Sequence, residues 1–315
     1  VTRCGRPGAA RIAVDLLGGD DAPAAVVDGA LLATGLDPEL HLHLVGPAGP
    51  AGEVLSACPP ARRSRLTAAT VEAGVGMADA PARAIRPETT VRAAIAAVAA
   101  GQADAMVSAG PSGATVTAAV VGLGRRPGVR QPVLAAVIPA RTGPVVLLDV
   151  GASPDAPAAA LARHAVLGAG YAIDVLGLAR PRVGLLTIGT EVGKGDRTRR
   201  TADALLRTAT LPGAAVYVGP VEGQHVTLGG PADVVVTDGF TGNVLLKGIE
   251  GAYALAGGVS PAHSVPRAAA LLGVAGTVVV CHGAASGGDI ASGIALAALL
   301  VRHGRTAGEL AEVPR

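Results

Sequence analysis

The chain has 315 residues, is 50% hydrophobic and 16% charged, and carries a formal net charge of +2. This composition belongs to a globular protein with ample core and excludes a disordered chain. The small net charge, with one phenylalanine, three tyrosines and no tryptophan, excludes most nucleic-acid recognition by charge or base stacking.

From the N-terminus, a strand is predicted at Arg11–Leu17, a helix at Ala22–Thr34, a strand at Leu40–Gly46 and a Gly/Pro-rich loop at Gly46–Pro60. A helix at Thr89–Ala100, a strand at Ala103–Ser108 and a helix at Ser112–Val121 follow, then strands at Val133–Ile138 and Val145–Val150. Next come a helix at Ala156–Ala169, a strand at Arg182–Ile188, a helix at Arg197–Thr208, and strands at Ala214–Val218 and Asp233–Thr237. The series ends with a helix at Thr241–Ala256, a loop at Gly257–Pro266, a strand at Thr277–Cys281 and a helix at Asp289–His303. Strands alternating with helices predict one α/β domain over 1–315, with a mainly parallel sheet covered on both faces. No internal repeat is apparent. The uncharged run Ala105–Gly124 is long enough to suggest a membrane span, but Ser108-Ala-Gly-Pro-Ser-Gly113 breaks it into strand, loop and helix.

Cys4, Cys58 and Cys281 lack metal-ligand spacing, so neither zinc nor a disulfide framework is expected, and the simplest compartment is a reducing cytoplasm. The first ten residues hold no apolar signal-peptide core. Asp196/Arg200 and Asp203/Arg207 are helical i,i+4 pairs on a solvated face. The arginine groups at 62–65 and 125–126 read as surface charge, with docking of an acidic partner the lesser reading.

Ligands of open α/β sheets bind where strands end and helices begin. Five loops at such places are rich in small residues: Gly18-Gly19-Asp20, Ser108–Gly113 (with Gly110 and Ser112), Asp149–Ala152, Gly189–Gly195 and Asp238–Asn243. Small residues let a backbone approach a ligand, and free amides at a helix start attract an anion. Gly189–Gly195, which holds Thr190, Glu191 and Lys194, is not a nucleotide P-loop. It has three residues, not four, between Gly189 and Gly193, and lacks Ser or Thr after the lysine.

The chain has 24 arginines but only two lysines, Lys194 and Lys247, and one asparagine, Asn243. Asn243 and Lys247 share a face of a helix that Thr241 could cap, with Asp238, Gly239 and Gly242 leading into it. An amide, an ammonium and a helix start suit a phosphate or a developing oxyanion. The alternative is an exposed lysine and an ordinary cap, and the scarcity of Lys and Asn favours the first. For His282, after the last strand, a site residue and a core histidine are equal readings. Asp15 and Asp20 could hold a metal or act as a base, although a turn-stabilising Asp is commoner. No metal site is expected.

At these loops the chain resembles the phosphate acyltransferases of bacterial phospholipid synthesis, the PlsX family. The residues that carry the resemblance are Ile12-Ala-Val-Asp-Leu-Leu-Gly-Gly-Asp20, Arg83–Thr90, Ala103–Ala114, Leu148–Ala152, Gly184–Gly195, Gly219–Gly223 and, most specifically, Asp233–Lys247. The resemblance implies a three-layer α/β/α Rossmann-like fold related to phosphotransacetylases. It implies conversion of acyl carrier protein thioesters and inorganic phosphate to acyl phosphates, without a cofactor, by a homodimer.

Lys194 would bind phosphate or the oxyanion and Asn243 would donate to the same charge. Ser108, Gly110, Ser112, Gly113, Asp238, Gly239 and Gly242 would line the pocket. Asp15, Gly18, Gly19, Asp20, Thr190, Glu191, Thr241, Lys247 and His282 complete the candidate substrate-binding set. The chain departs from the family pattern at Pro111-Ser112, Ser153-Pro154 and Pro220, where asparagines are usual. Its segment near 250–272 is much shorter than the family's helical insertion, which counts against membrane-surface association. Two other readings stay open: a phosphotransacetylase-like enzyme using acyl-coenzyme A, and a divergent non-catalytic paralogue that binds acyl carrier protein.

Overall fold

A computed structural model of the chain describes residues 8–191, 193–257 and 265–303. Cys4 and the 258–264 part of the expected Gly257–Pro266 loop lie outside the described residues. The first elements are β1 (Ala10–Asp15), α1 (Ala24–Leu36), β2 (Leu40–Gly46), α2 (Ala48–Ala57), α3 (Pro60–Arg63) and β3 (Leu66–Thr70). A 3-10 turn (Pro81–Ile85), α4 (Thr90–Ala99), β4 (Ala105–Ser108) and α5 (Ser112–Leu123) follow. The middle of the chain forms β5 (Val133–Ala140), β6 (Gly143–Leu148), α6 (Ala158–Leu176), β7 (Arg182–Leu186), α7 (Arg197–Leu206), β8 (Val216–Val221), α8 (Gln224–Leu228), β9 (Val234–Val236) and α9 (Gly239–Leu255). The described chain closes with β10 (Ala268–Leu272), β11 (Thr277–Cys281) and α10 (Gly287–Arg302).

These elements form two compact units, Arg3–Pro127 with Pro266–Arg305, and Gly128–Val265. In the first unit the strand order is β3-β2-β1-β4-β11-β10. Every neighbour there is parallel except β10, which runs antiparallel to β11. Helices α1, α2 and α10 pack together on one side, and α4 packs with α5 on the other. In the second unit the order is β5-β6-β9-β7-β8, parallel except for the β5–β6 hairpin. Both units are the α/β type that the alternation predicts.

The expected loop at Gly46–Pro60 is mostly helix. Pro47 and Pro59 stand at the N-caps of α2 and α3, where a missing N–H costs nothing. Ala51 and Val54, three apart, are buried. Strand β3 escapes the pattern because it is an edge strand with only Leu66 buried. Strand β10 escapes it because Ala-Ala-Ala-Leu-Leu reads as helix. Asp196 pairs with Arg199, three residues on, while Arg200 donates to the Gly195 carbonyl; the Asp203–Arg207 pair forms as expected. The arginines at 62–65 are not all free surface charge, since Arg63 donates to Cys58 and Ser56 carbonyls and Arg65 to those of Asp37, Leu40 and Thr34.

Each unit is stapled at the start of a parallel strand pair in the same way. In the first, Arg11 donates its backbone amide, Nε and Nη2 to Asp104 and Nη1 to the Gly101 carbonyl. In the second, Arg182 makes the same four bonds with Asp233 and Gly230. The registers Ile12↔Ala105 and Val183↔Val234 put the two staples in equivalent places. Aligned on them, Ala103-Asp-Ala-Met-Val-Ser-Ala-Gly-Pro-Ser-Gly-Ala114 matches Ala232-Asp-Val-Val-Val-Thr-Asp-Gly-Phe-Thr-Gly-Asn243. The matching positions are the Ala-Asp start, one Val, a hydroxyl, a Gly and a final hydroxyl-Gly pair. A short internal repeat therefore exists, contrary to the sequence-based expectation, and it emerges only when the strand register supplies the alignment.

Helix α6 is the one helix among the described residues that is long and apolar enough to cross a bilayer. Leu161, Ala165, Leu167, Ala169 and Ala172 are nevertheless buried in the second unit, as in a core helix. His164 on the same helix is fully buried, and burial pushes its imidazole down to about 4. A histidine less basic in the folded than in the unfolded chain gives stability that is full above its unfolded value of about 6.5 and is lost as pH falls towards 4. Urea unfolding should show about 2 kcal/mol lost through this group between pH 7.5 and pH 5. A folded His164→Leu chain should lack that part of the slope; parallel pH curves for the two proteins would refute the assignment.

Candidate functional site

The parallel pairings fix where the five loops lie. In the first unit β1, β4 and β11 run parallel, so Gly18–Asp20, Ser108–Gly113 and His282 all follow strands at one edge of that unit's sheet. In the second unit β6, β9 and β7 run parallel, which gathers Asp149–Ala152, Asp238–Asn243 and Gly189–Gly195 at one edge there.

In the first unit the Ser108 hydroxyl donates to the Asp15 carboxylate at 2.7 Å and accepts the Gly110 amide at 3.0 Å. Both side chains are buried, so they join the β1 and β4 loops. Burial pushes the Asp15 carboxyl up, with bonds from Ser108 and the Leu17 amide pulling the other way. A Cβ on Gly18 would lie 2.7 Å from the Gly110 nitrogen and from the Ser108 hydroxyl, so only glycine allows this approach. Gly19 is left-handed, and the Asp20 amide donates to the Gly283 carbonyl at 2.7 Å. Asp20 and His282 are exposed, and the His282 ring accepts the Ala284 amide. Helix α5 starts after Pro111 with no side-chain cap, which leaves the first-turn amides of Ser112 and Gly113 available to an anion.

In the second unit the loop after β6 is organised by one carboxylate. Asp149 is wholly buried. Its Oδ1 accepts the amides of Leu134, Gly151 and Ala152 at 2.9–3.0 Å, and its Oδ2 accepts that of Ser153 at 2.7 Å. Burial raises its pKa in spite of these four donors. The start of α9 packs on this loop: the Gly239 amide donates to the Ser153 carbonyl and the Phe240 amide to that of Pro154. The Asn243 Nδ2 donates to the Val150 carbonyl at 3.0 Å. A Cβ on Gly242 would lie 1.8 Å from the Asp149 carbonyl oxygen.

Helix α9 begins two residues before the expected start, and its cap is Asp238, not Thr241. Asp238 Oδ1 accepts the Thr241 amide at 2.8 Å, and Oδ2 accepts the Thr241 hydroxyl. The first-turn amides of α9 are thus taken by protein acceptors. These amides are therefore not open to an anion. Lys247 forms an exposed ion pair with Glu250 at 3.0 Å, so it shares the helix with Asn243 but is directed to a different partner.

Thr190, Glu191 and Lys194 lie exposed in the loop after β7. Among the described residues the Lys194 ammonium takes no ion-pair partner, while its amide donates to the Glu191 carbonyl and closes the turn. The sequence reading passed over Arg199, which is buried apart from 15% of its side chain and bonded to the Asp238 carboxylate. Burial pushes the Asp238 carboxyl up, but Thr241 and Arg199 outweigh it and hold the group below the usual carboxylate range. The available signal was the Asp196-x-x-Arg199 spacing at a helix start, hidden among 24 arginines.

The model of the family described as "Fatty acid synthesis protein" matches residues 10–259. A phosphate acyltransferase of Pseudomonas syringae pv. syringae is 43% identical over 242 residues, 76% of this chain and 70% of that protein. One from Desulfitobacterium hafniense is 42% identical over 243 residues, with the same shares of 76% and 70%. Among solved structures, the EutD phosphotransacetylase from Staphylococcus aureus has a similar fold, with a TM-score of 0.62 at 17% identity, covering 93% of this chain and 94% of that one. A phosphotransacetylase from Streptococcus pyogenes also aligns with a TM-score of 0.62, at 16% identity and 93% of each chain.

Removing Asp149 would strand the buried amide of Leu134 in β5 and the part-buried amides of Gly151, Ala152 and Ser153, and each orphaned donor costs about 1–3 kcal/mol. Asp149→Ala should therefore lower stability by more than about 3 kcal/mol in urea unfolding. A change below about 1 kcal/mol would show that water satisfies those donors and that the loop does not depend on the carboxylate.

Proposed function

The chain belongs to the fatty acid synthesis protein family and is a phosphate acyltransferase, and from that premise we propose that its donor is the thioester of acyl carrier protein and its acceptor inorganic phosphate. One observation carries the assignment of roles. Lys194 lies in the loop that follows β7 and Asn243 near the start of α9, which follows β9, and those two strands are hydrogen-bonded parallel neighbours. Two of the three Lys and Asn residues in the sequence thus follow adjacent strand ends, the ordinary place for a site in an α/β sheet.

In this reading a phosphate oxygen attacks the thioester carbonyl carbon. The new C–O bond forms, the C–S bond breaks, and the thiolate of the carrier leaves and takes a proton from water. Charge builds on the carbonyl oxygen as the tetrahedral species forms. The Lys194 ammonium attracts the incoming phosphate and that oxyanion. Asn243 is held by its bond to the Val150 carbonyl and offers its amide group to the same charge. Positioning and electrostatic stabilisation suffice for such chemistry. The uncapped start of α5, with Ser112 and Gly113, supports a further anion-accepting role for the Ser108–Gly113 loop.

We assign the protein to the cytoplasm as a homodimer. Buried, free Cys58 and Cys281 support a reducing compartment. Helix α9 leaves Phe240, Val244 and Leu255 exposed at 67%, 57% and 93%, an apolar face that supports self-association.

The purified chain should form acyl phosphate from acyl carrier protein thioester and phosphate. Lys194→Ala and Asn243→Ala should each lower kcat/KM by about 100-fold or more while remaining folded. Wild-type rates in both variants would sink the assigned roles. If acyl-coenzyme A outcompetes the carrier thioester, the phosphotransacetylase-like alternative replaces the proposed donor.

A further inference from the structure

We propose that Arg199 is a positioning residue that fixes the Lys194 loop against the start of α9, and so sets the spacing between the two side chains that meet phosphate and the oxyanion. The inference rests on the acyl-transfer reading for its catalytic consequence, but its geometry stands independently. Arg199 Nε donates to the carbonyl of Leu186, the last residue of β7, at 3.1 Å. Its Nη1 donates to Asp196, the cap of α7, at 2.5 Å. Its Nη2 reaches across to the Asp238 carboxylate, the Thr241 hydroxyl at 3.1 Å and the Thr237 hydroxyl at 3.4 Å.

One planar cation therefore holds the strand end before the loop, the helix cap after it, and the neighbouring loop that opens α9. Arg199 also bounds the base of the Lys194 loop, because a Cβ on Gly195 would lie 2.6 Å from the Thr187 hydroxyl and 3.3 Å from the Arg199 Cβ. With its donors committed to five protein groups, Arg199 is not a phosphate ligand. Only a guanidinium has the fork to serve these acceptors together, so lysine cannot replace it fully.

The charge balance points the same way. Asp196 and Asp238 are both carboxylates on this guanidinium, and Asp238 is buried apart from 14% of its side chain. Removing the cation would leave two like charges beside each other and free the α9 cap from α7. A displacement of the reacting groups by about 1 Å can cost about 100-fold in rate, and the loop that would move is the one bearing Lys194.

The test combines kinetics with a distance measurement. Thr190→Cys and Val244→Cys, in a chain with Cys4→Ser, receive spin labels; both sites are exposed, while Cys58 and Cys281 are buried. The expected result for Arg199→Met is a broadened or shifted label distance and a fall of about 100-fold in kcat/KM for phosphate, with KM for the thioester within about twofold. Arg199→Lys should fall between Arg199→Met and wild type in both readouts. Circular dichroism at the assay temperature confirms that each variant is folded, and an unfolded Arg199→Met chain leaves Arg199→Lys to decide.

An unchanged distance with lost activity would overturn the proposal by placing Arg199 directly on substrate. A changed distance with wild-type kcat/KM would overturn it by making the clamp purely structural. If the wild-type chain itself makes no acyl phosphate, the functional reading falls, and the label distances alone decide whether Arg199 sets the spacing.

Discussion

The Asp149 carboxylate is the constraint on which the second unit's loops rest. A carboxylate out of water needs donors, and four backbone amides supply them. Turning those amides inward bends residues 150–153 into a tight loop whose carbonyls point outward. Those carbonyls then become the acceptors that α9 needs: Ser153 and Pro154 take its first amides and Val150 takes the Asn243 side chain. Gly242 completes the fit, since any larger residue would run into the Asp149 carbonyl. The placement of Asn243 is thus inherited from a buried acid nearly a hundred residues away in sequence.

The consequence for chemistry is a division of labour. A helix start is ordinarily an anion site because its amides are unsatisfied. At α9 they are satisfied, by Asp238 and by the Asp149 loop. The start of α9 is therefore held by protein acceptors, and in the proposed function attraction for phosphate there comes from side chains on or near it. That shift from backbone to side chain gives physical content to the survival of Lys194 and Asn243 in a chain that otherwise uses arginine and alanine almost everywhere. Arginine here mostly does structural work. Arg11, Arg182 and Arg199 each hold a carboxylate and a backbone carbonyl at once, which their planar fork suits and an ammonium does not.

Much of this was legible in sequence because it depends on local pattern. Thr277–Cys281 is a strand with the expected bounds and Leu40–Gly46 likewise; a Val run in the first and Leu/His alternation in the second leave little choice. All five glycine-rich loops follow strands for the same reason. What the sequence hid depends on long-range geometry. In sequence, Asp238 and Thr241 are both good caps for α9, three residues apart. Only the Arg199 contact and the Asp149 loop decide in favour of Asp238. Helix α2 was hidden by its glycines and flanking prolines, whose outward-facing and capping positions cannot be told from a loop without the partner surface. Sequence places Ser108 at the head of a small-residue loop but does not show the bond of its hydroxyl to Asp15, a partner 93 residues away.

The two strand-loop-helix copies show how one backbone plan reaches two different ends. Both begin with an Arg–Asp staple and both place a hydroxyl, a glycine and a hydroxyl-Gly pair at the turn into the helix. Among the positions where they diverge, two bear on the helix start: Ala109 against Asp238, and Pro111 against Phe240. Where the second copy has Asp238, the first has Ala109, so α9 is capped by a carboxylate and α5 carries no side-chain cap. A carboxylate at that point repels an anion and occupies an amide; an alanine does neither. The copy with the aspartate needs a cation to neutralise it, and Arg199 stands there. In the copy without it, the hydroxyl of Ser108 turns to Asp15 instead and the helix amides stay open. With Asp238 as its cap, α9 starts at Gly239 and its first amides are held by protein acceptors, whereas α5 starts two positions later, after Pro111, with no side-chain cap.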